Sequence, residues 1–148
     1  MTYLKTEFLK KKYYDMSNKK SKVIAVDFDG TCITHAYPSV GVEIGAAPIL
    51  KKLADNGHKI MLWTMRGSGQ TLLDAIHWFE QNKIPLWGIN ENPVQKASGW
   101  SKSNKQHADH YIDDAVIGVP LLYNPQISDR PYINWAKMEE YLIALNLI

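Results

Sequence analysis

The 148-residue sequence predicts an α/β fold built on a parallel sheet, and two observations carry that expectation. Short apolar runs alternate with segments of helical periodicity, the pattern of βαβ units. The apolar runs also end in acidic, hydroxyl or polar residues, at the end of the strand where open α/β sheets bind their ligands. Hydrophobic residues make up 45% and charged residues 22% of the chain, ordinary proportions for one globular domain with a real core.

The first strand is the stretch around which the rest is organised. Val23-Ile24-Ala25-Val26 is apolar and β-branched, the composition of a strand buried on both faces. It delivers Asp27 and Asp29 at its C-terminal end. Two acids one residue apart point the same way on an extended backbone, so their charges repel unless a cation or a shared proton intervenes. Gly30 follows and permits a sharp turn with close approach to a ligand.

A loop over 32–44 leads to a helix over 46–57, with Pro48 in its first turn and Gly57 at its stop. His58–Trp63 reads as a second strand, ending in Thr64-Met65-Arg66-Gly67. Leu72, Leu73, Ile76 and Phe79 recur at helical spacing and predict a helix over 70–81. Leu86–Ile89 is a short third strand, and residues 90–107 read as a long polar loop. His110-Tyr111-Ile112 forms a fourth strand that ends in Asp113-Asp114. Residues 115–133, with Pro120, Pro125 and Pro131, read as irregular. A closing helix spans 134–147, with Trp135, Met138, Tyr141, Leu142 and Leu145 on one face. No repeat and no linker divides 22–148, so they are read as one domain. Residues 1–21 are Lys-rich and read as a poorly ordered extension, with Met16 as a possible true start.

Charge and cysteine usage narrow the function classes. Net charge is +2. Lys5, Lys10, Lys11 and Lys12 against Glu7 and Asp15 give the first fifteen residues that whole excess, so the body is neutral and carries no nucleic-acid footprint. No apolar run is long enough to span a membrane, and the N-terminus lacks the pattern of a signal peptide. The single cysteine, Cys32, excludes an intramolecular disulfide framework and fits a reducing, cytoplasmic setting.

Asp27, Asp29, Asp113 and Asp114 at strand ends make an oxygen-rich site suited to Mg²⁺. Thr64 and Lys105 add a donor and a positive charge for an anion beside that cation. Such a set makes little sense as a core and good sense for a phosphoryl group. His35, Tyr37, Arg66, Asn92 and Trp100 are candidates for substrate contact, with Arg66 able to grip a second phosphate or a carboxylate bidentately. Cys32-x-x-His35 lacks the partner ligands of a metal site.

Asp27-Phe28-Asp29-Gly30-Thr31 resembles the first motif, D-x-D-G-T, of the haloacid dehalogenase (HAD) superfamily of phosphohydrolases. Thr64, Lys105 and Asp113/Asp114 follow in the order and at the strand ends of the other three HAD motifs, and the resemblance covers residues 22–122. Lys105-x-x-Ala-Asp-x-x-Ile-Asp-Asp resembles small HAD members more closely than Lys96 or Lys102 would allow. The resemblance implies a doubly wound, Rossmann-like three-layer sandwich. It also implies Mg²⁺-dependent hydrolysis of a phosphate monoester, on a small phosphorylated molecule or a nucleic-acid end. Asp27 would be the nucleophile forming an aspartyl-phosphate, and Asp29 the general acid and then base. Asp27, the Asp29 carbonyl and the Asp113/Asp114 pair would hold Mg²⁺. Thr64, with amides near Phe28, Asp29, Gly30 and Met65, would bind phosphate oxygens, and Lys105 would neutralise charge on the phosphate and Asp27. Asp29 favours phosphate esters over carbon–halogen bonds, since the dehalogenases lack this second acid. The gaps between motifs hold no cap domain, so the site is expected to be open or closed by a loop or a partner subunit; an oligomer is possible but not indicated. A signalling receiver domain fits less well, because its acidic pair precedes the Lys. A catalytically idle phosphate-binding protein remains the alternative.

Overall fold

A computed structural model describes residues 21–148. Its centre is a four-stranded sheet, all parallel, in the order β3-β2-β1-β4. The strands are β1 (Val23–Val26), β2 (Lys59–Leu62), β3 (Leu86–Ile89) and β4 (His110–Ile112). Val26 pairs with Leu62 on one side and Ile112 on the other, so β1 is central and its end lies level with both neighbours. The chain runs outward from β1 through β2 to β3 and then returns to place β4 on the far side of β1. The topological switch point therefore falls between the C-terminal ends of β1 and β4.

Helices α1 (Ala46–Asp55), α2 (Gly69–Gln81) and α4 (Trp135–Ala144) pack on one face. Ile24 and Val26 of β1 and Ile60 and Leu62 of β2 meet Leu50 and Leu53 of α1, Phe79 of α2 and Leu142 of α4. Phe28 continues this face beyond the strand, edge-on to Trp78 with ring centroids 5.8 Å apart. Alternation along the strand puts Ala25 and Met61 on the opposite face, where they meet Ala108 and half-buried Val23, Trp63 and Trp87. That face has no long helix among the described residues. The expected three-layer sandwich is therefore a parallel sheet with three helices on one side and a thinner cover on the other.

The remaining differences from expectation are local. The polar segment over 90–107 contains a short helix, α3 (Pro93–Ser98). Asn92 caps it by accepting from the Val94 and Gln95 amides, Pro93 opens it, and Gly99 ends it in the left-handed region. The segment over 115–133 contains a two-residue antiparallel pair, β5 (Leu121–Leu122) with β6 (Tyr132–Ile133). The closing helix stops at Ala144, three residues short of expectation. The expected N-terminal extension and Met16 lie outside the described residues, apart from Ser21. No helix of the described residues is long and apolar enough to cross a membrane.

Candidate active site

The turn after β1 builds the floor of the site. Phe28's carbonyl accepts from the amides of Thr31 and Cys32, and Gly30's amide donates to the Ile33 carbonyl. Gly30 takes φ +80°, and a Cβ there would fall on the His35 ring and the Asp114 carboxylate. Only glycine lets this turn pass under the acidic cluster. The committed Gly30 amide is thereby removed from the donors expected for phosphate. Phe28's ring is fully buried in the core, so any ligand contact by this residue runs through its backbone.

Asp27, Asp113 and Asp114 each offer a carboxylate oxygen, and these oxygens lie within 4.8 Å of one another. Thr31, fully buried, holds two of the three in place. Its hydroxyl donates to Asp27 Oδ2 at 2.8 Å and accepts from the Asp114 amide at 3.1 Å. His35 Nε2 lies 2.7 Å from Asp114 Oδ2, and Asp113 Oδ1 accepts from the Ala115 amide at 2.8 Å. Burial, then the charges of Asp113 and Asp114, push the Asp27 carboxyl up to about 7 against the opposing hydrogen bond from Thr31. Three crowded carboxylates with one imidazole beside them are a costly arrangement, and an all-oxygen donor set of this kind fits a hard divalent cation.

The Asp29 carboxylate is not part of this group. Its side chain turns away to Arg66, whose Nε and Nη2 donate to its two carboxylate oxygens at 2.8 and 2.7 Å. The other guanidinium protons reach the carbonyls of Ser39, Thr71 and Pro38. Arg66 is 1% exposed, lies between the Phe28 and Tyr37 rings, and has its own pKa raised chiefly by the Asp29 hydrogen bonds. This corrects two expectations. Arg66 has no donor left for substrate, and both side-chain oxygens of Asp29 are engaged by Arg66 rather than turned to the acidic cluster.

Thr64 and Met65 line the same cavity as Asp27. Asn90, at the end of β3, organises their loop, its side-chain oxygen accepting from the Thr64 amide and its amide group donating to the Arg66 carbonyl. Lys105 is not brought against Asp27. Its backbone is pinned by Ser103 and Gln95, its ammonium lies over the Tyr111 ring, and it lines a neighbouring cavity that shares Asp113. Asn92 is a buried helix cap rather than a substrate contact. Exposed Trp100 packs edge-on to His107, whereas His35 and exposed Tyr37 line the cavity with Asp27. Cys32 is buried with its thiol donating to the Asp27 carbonyl, and burial pushes its pKa up, so it forms no metal pair with His35.

Sequence reasoning missed Thr31 as the brace between Asp27 and Asp114, although it sat inside the quoted motif. Asn90 and Arg130 were also missed. Asn90's positive φ of 53° at a strand end is the kind of signal an asparagine carries, whereas nothing local marks Arg130.

An α/β domain with an acidic cluster at the switch point of its parallel sheet is the class that fold and site define. No family model matches the chain, and no curated protein does. Among solved structures, a conserved protein from Bacteroides thetaiotaomicron is 31% identical, with a TM-score of 0.66 over 86% of this chain and 93% of that one. The chain belongs to the same family as that protein.

Proposed function

We propose that the protein is a Mg²⁺-dependent phosphatase that hydrolyses a phosphate monoester through an aspartyl-phosphate on Asp27. The observation that carries this reading is the convergence of Asp27, Asp113 and Asp114 within 4.8 Å, with Thr64 lining the same cavity as all three. A divalent cation held by these oxygens would offset the negative charge of both the phosphoryl group and Asp27. Asp27 attacks phosphorus, the bond to the ester oxygen breaks, and that oxygen leaves with a proton or as an anion. Water then attacks the aspartyl-phosphate, releasing inorganic phosphate and regenerating the Asp27 carboxylate. Thr64's hydroxyl, which accepts from the Arg66 amide at 3.2 Å, keeps its own proton for a phosphate oxygen. Lys105 is the candidate for the second positive charge, approaching from the Asp113 side.

The Asp29–Arg66 pair favours a second reading, a phosphate-binding protein without turnover, because the expected general acid is clamped. The two readings differ in one assay. Phosphate release from a panel of sugar phosphates, nucleotides and a generic aryl phosphate is measured with and without Mg²⁺, beside Asp27→Asn. Release that needs Mg²⁺ and disappears in Asp27→Asn supports the phosphatase. No release from any ester, by protein that still binds Mg²⁺, supports the binding protein.

A further inference from the structure

We infer that Arg130 binds a second anionic group, so that the substrate is a phosphate ester carrying another phosphate or a carboxylate. This rests on the phosphatase reading of the same site. The cavity that contains Asp27, Thr64, Asp113 and Asp114 has a volume of about 510 Å³, far more than one phosphoryl group needs and within the range of small-molecule sites. Its walls carry two cations. Arg66 is spent on Asp29 and three carbonyls. Arg130 lines the same cavity, is exposed, and has no carboxylate within ion-pair distance among the described residues.

Arg130 is also held rather than trailing on a loose loop. Ser128, itself buried, donates through its hydroxyl to the Arg130 carbonyl at 2.7 Å and accepts from the Arg130 amide at 3.2 Å. Three residues on, the Ile133 amide donates to the Gly30 carbonyl at 3.0 Å, tying this segment to the turn under the acidic cluster. An arginine whose backbone is held on the wall of a cavity that also contains Asp27, Asp113 and Asp114 suits a ligand with a second anion beside its phosphoryl group. The planar guanidinium fork matches carboxylate and phosphate alike. Exposed Tyr37 on the same cavity offers such a ligand a flat apolar surface.

The test compares matched pairs of esters. Fructose 1,6-bisphosphate is set against fructose 6-phosphate, and 3-phosphoglycerate against glycerol 3-phosphate, so that the two arms separate phosphate from carboxylate. Turnover gives kcat/KM for each. Calorimetry on Mg²⁺-loaded Asp27→Asn protein gives binding without chemistry. The doubly anionic member of at least one pair is expected to be preferred about tenfold or more in both readouts. That ratio is expected to fall towards one in Arg130→Ala, to survive in part in Arg130→Lys and to invert in Arg130→Glu. Equal binding of both members of each pair, or a preference that Arg130→Ala leaves intact, overturns the inference. Absence of turnover with the binding preference present would instead count against the phosphatase reading alone.

Discussion

Arg66 and Asp29 form a two-bond ion pair across 37 positions of sequence, each carboxylate oxygen accepting from a different guanidinium nitrogen at 2.8 and 2.7 Å. All five guanidinium protons are engaged, and the group is almost wholly out of water. Removing one partner of a buried pair strands the other. Arg66→Ala is therefore expected to lower stability by roughly 3–5 kcal/mol, read from urea denaturation. Arg66→Lys recovers only part, because a point charge cannot span two oxygens and three carbonyls. A loss no greater than that of an average surface substitution would show that the pair does not organise the site.

The same clamp sets an expectation for chemistry. If Asp29 stays on Arg66, leaving groups that depart as stable anions need no proton from the protein. Rates are then expected to rise steeply as the leaving group becomes more acidic, and Asp29→Asn to slow alkyl and aryl phosphates alike. Selective slowing of alkyl phosphates would show that Asp29 leaves Arg66 to protonate the leaving group.

Asp27 links the site to pH. Its carboxyl is raised to about 7 in the fold against 3.8 for the ordinary group. Between those values the folded chain holds a proton that the unfolded chain has lost, so stability falls as pH rises from about 4 through about 7 and is level above. Metal-free protein is expected to show this decline in melting temperature, and Asp27→Asn to flatten it. Mg²⁺ binding near pH 6 is expected to release protons from the wild type, seen as a buffer-dependent heat. A wild-type profile that rises over this window would contradict the assignment of burial as the dominant cause.

Thr31→Val tests the brace between Asp27 and Asp114. The exchange keeps the shape of a fully buried side chain while deleting a donor to Asp27 and an acceptor for the Asp114 amide. Mg²⁺ affinity is expected to weaken by about tenfold, the usual effect of losing a residue that orients metal ligands. Calorimetry that finds the affinity unchanged would remove Thr31 from the site.

Much of this arrangement was legible from the sequence because its signals are local. A β-branched run ending in Asp27 and a short strand ending in Asp113-Asp114 need only the rule that sheets present ligands at carboxyl ends. Helix α3 was legible too and was misread. Asn92-Pro93 is a cap followed by a first-turn proline, but the polar character of 90–107 outweighed it. The Asp29–Arg66 clamp was not legible, since arginine after a strand looks the same whether it faces solvent or turns inward onto the carbonyls of Pro38, Ser39 and Thr71. Lys105 shows the same limit: order along the chain gave its place in the motif series, while Gln95 and Ser103 decide which cavity its side chain enters.

The central claim is that Asp27 carries the phosphoryl group during turnover, and it is tested most directly by quenching the reaction in acid and locating the adduct by peptide mass spectrometry. A phosphorylated peptide containing Asp27 is expected, formed only with Mg²⁺ and ester present, and absent from Asp27→Asn. Turnover that proceeds with no such adduct, or with the phosphoryl group on another residue, would contradict it.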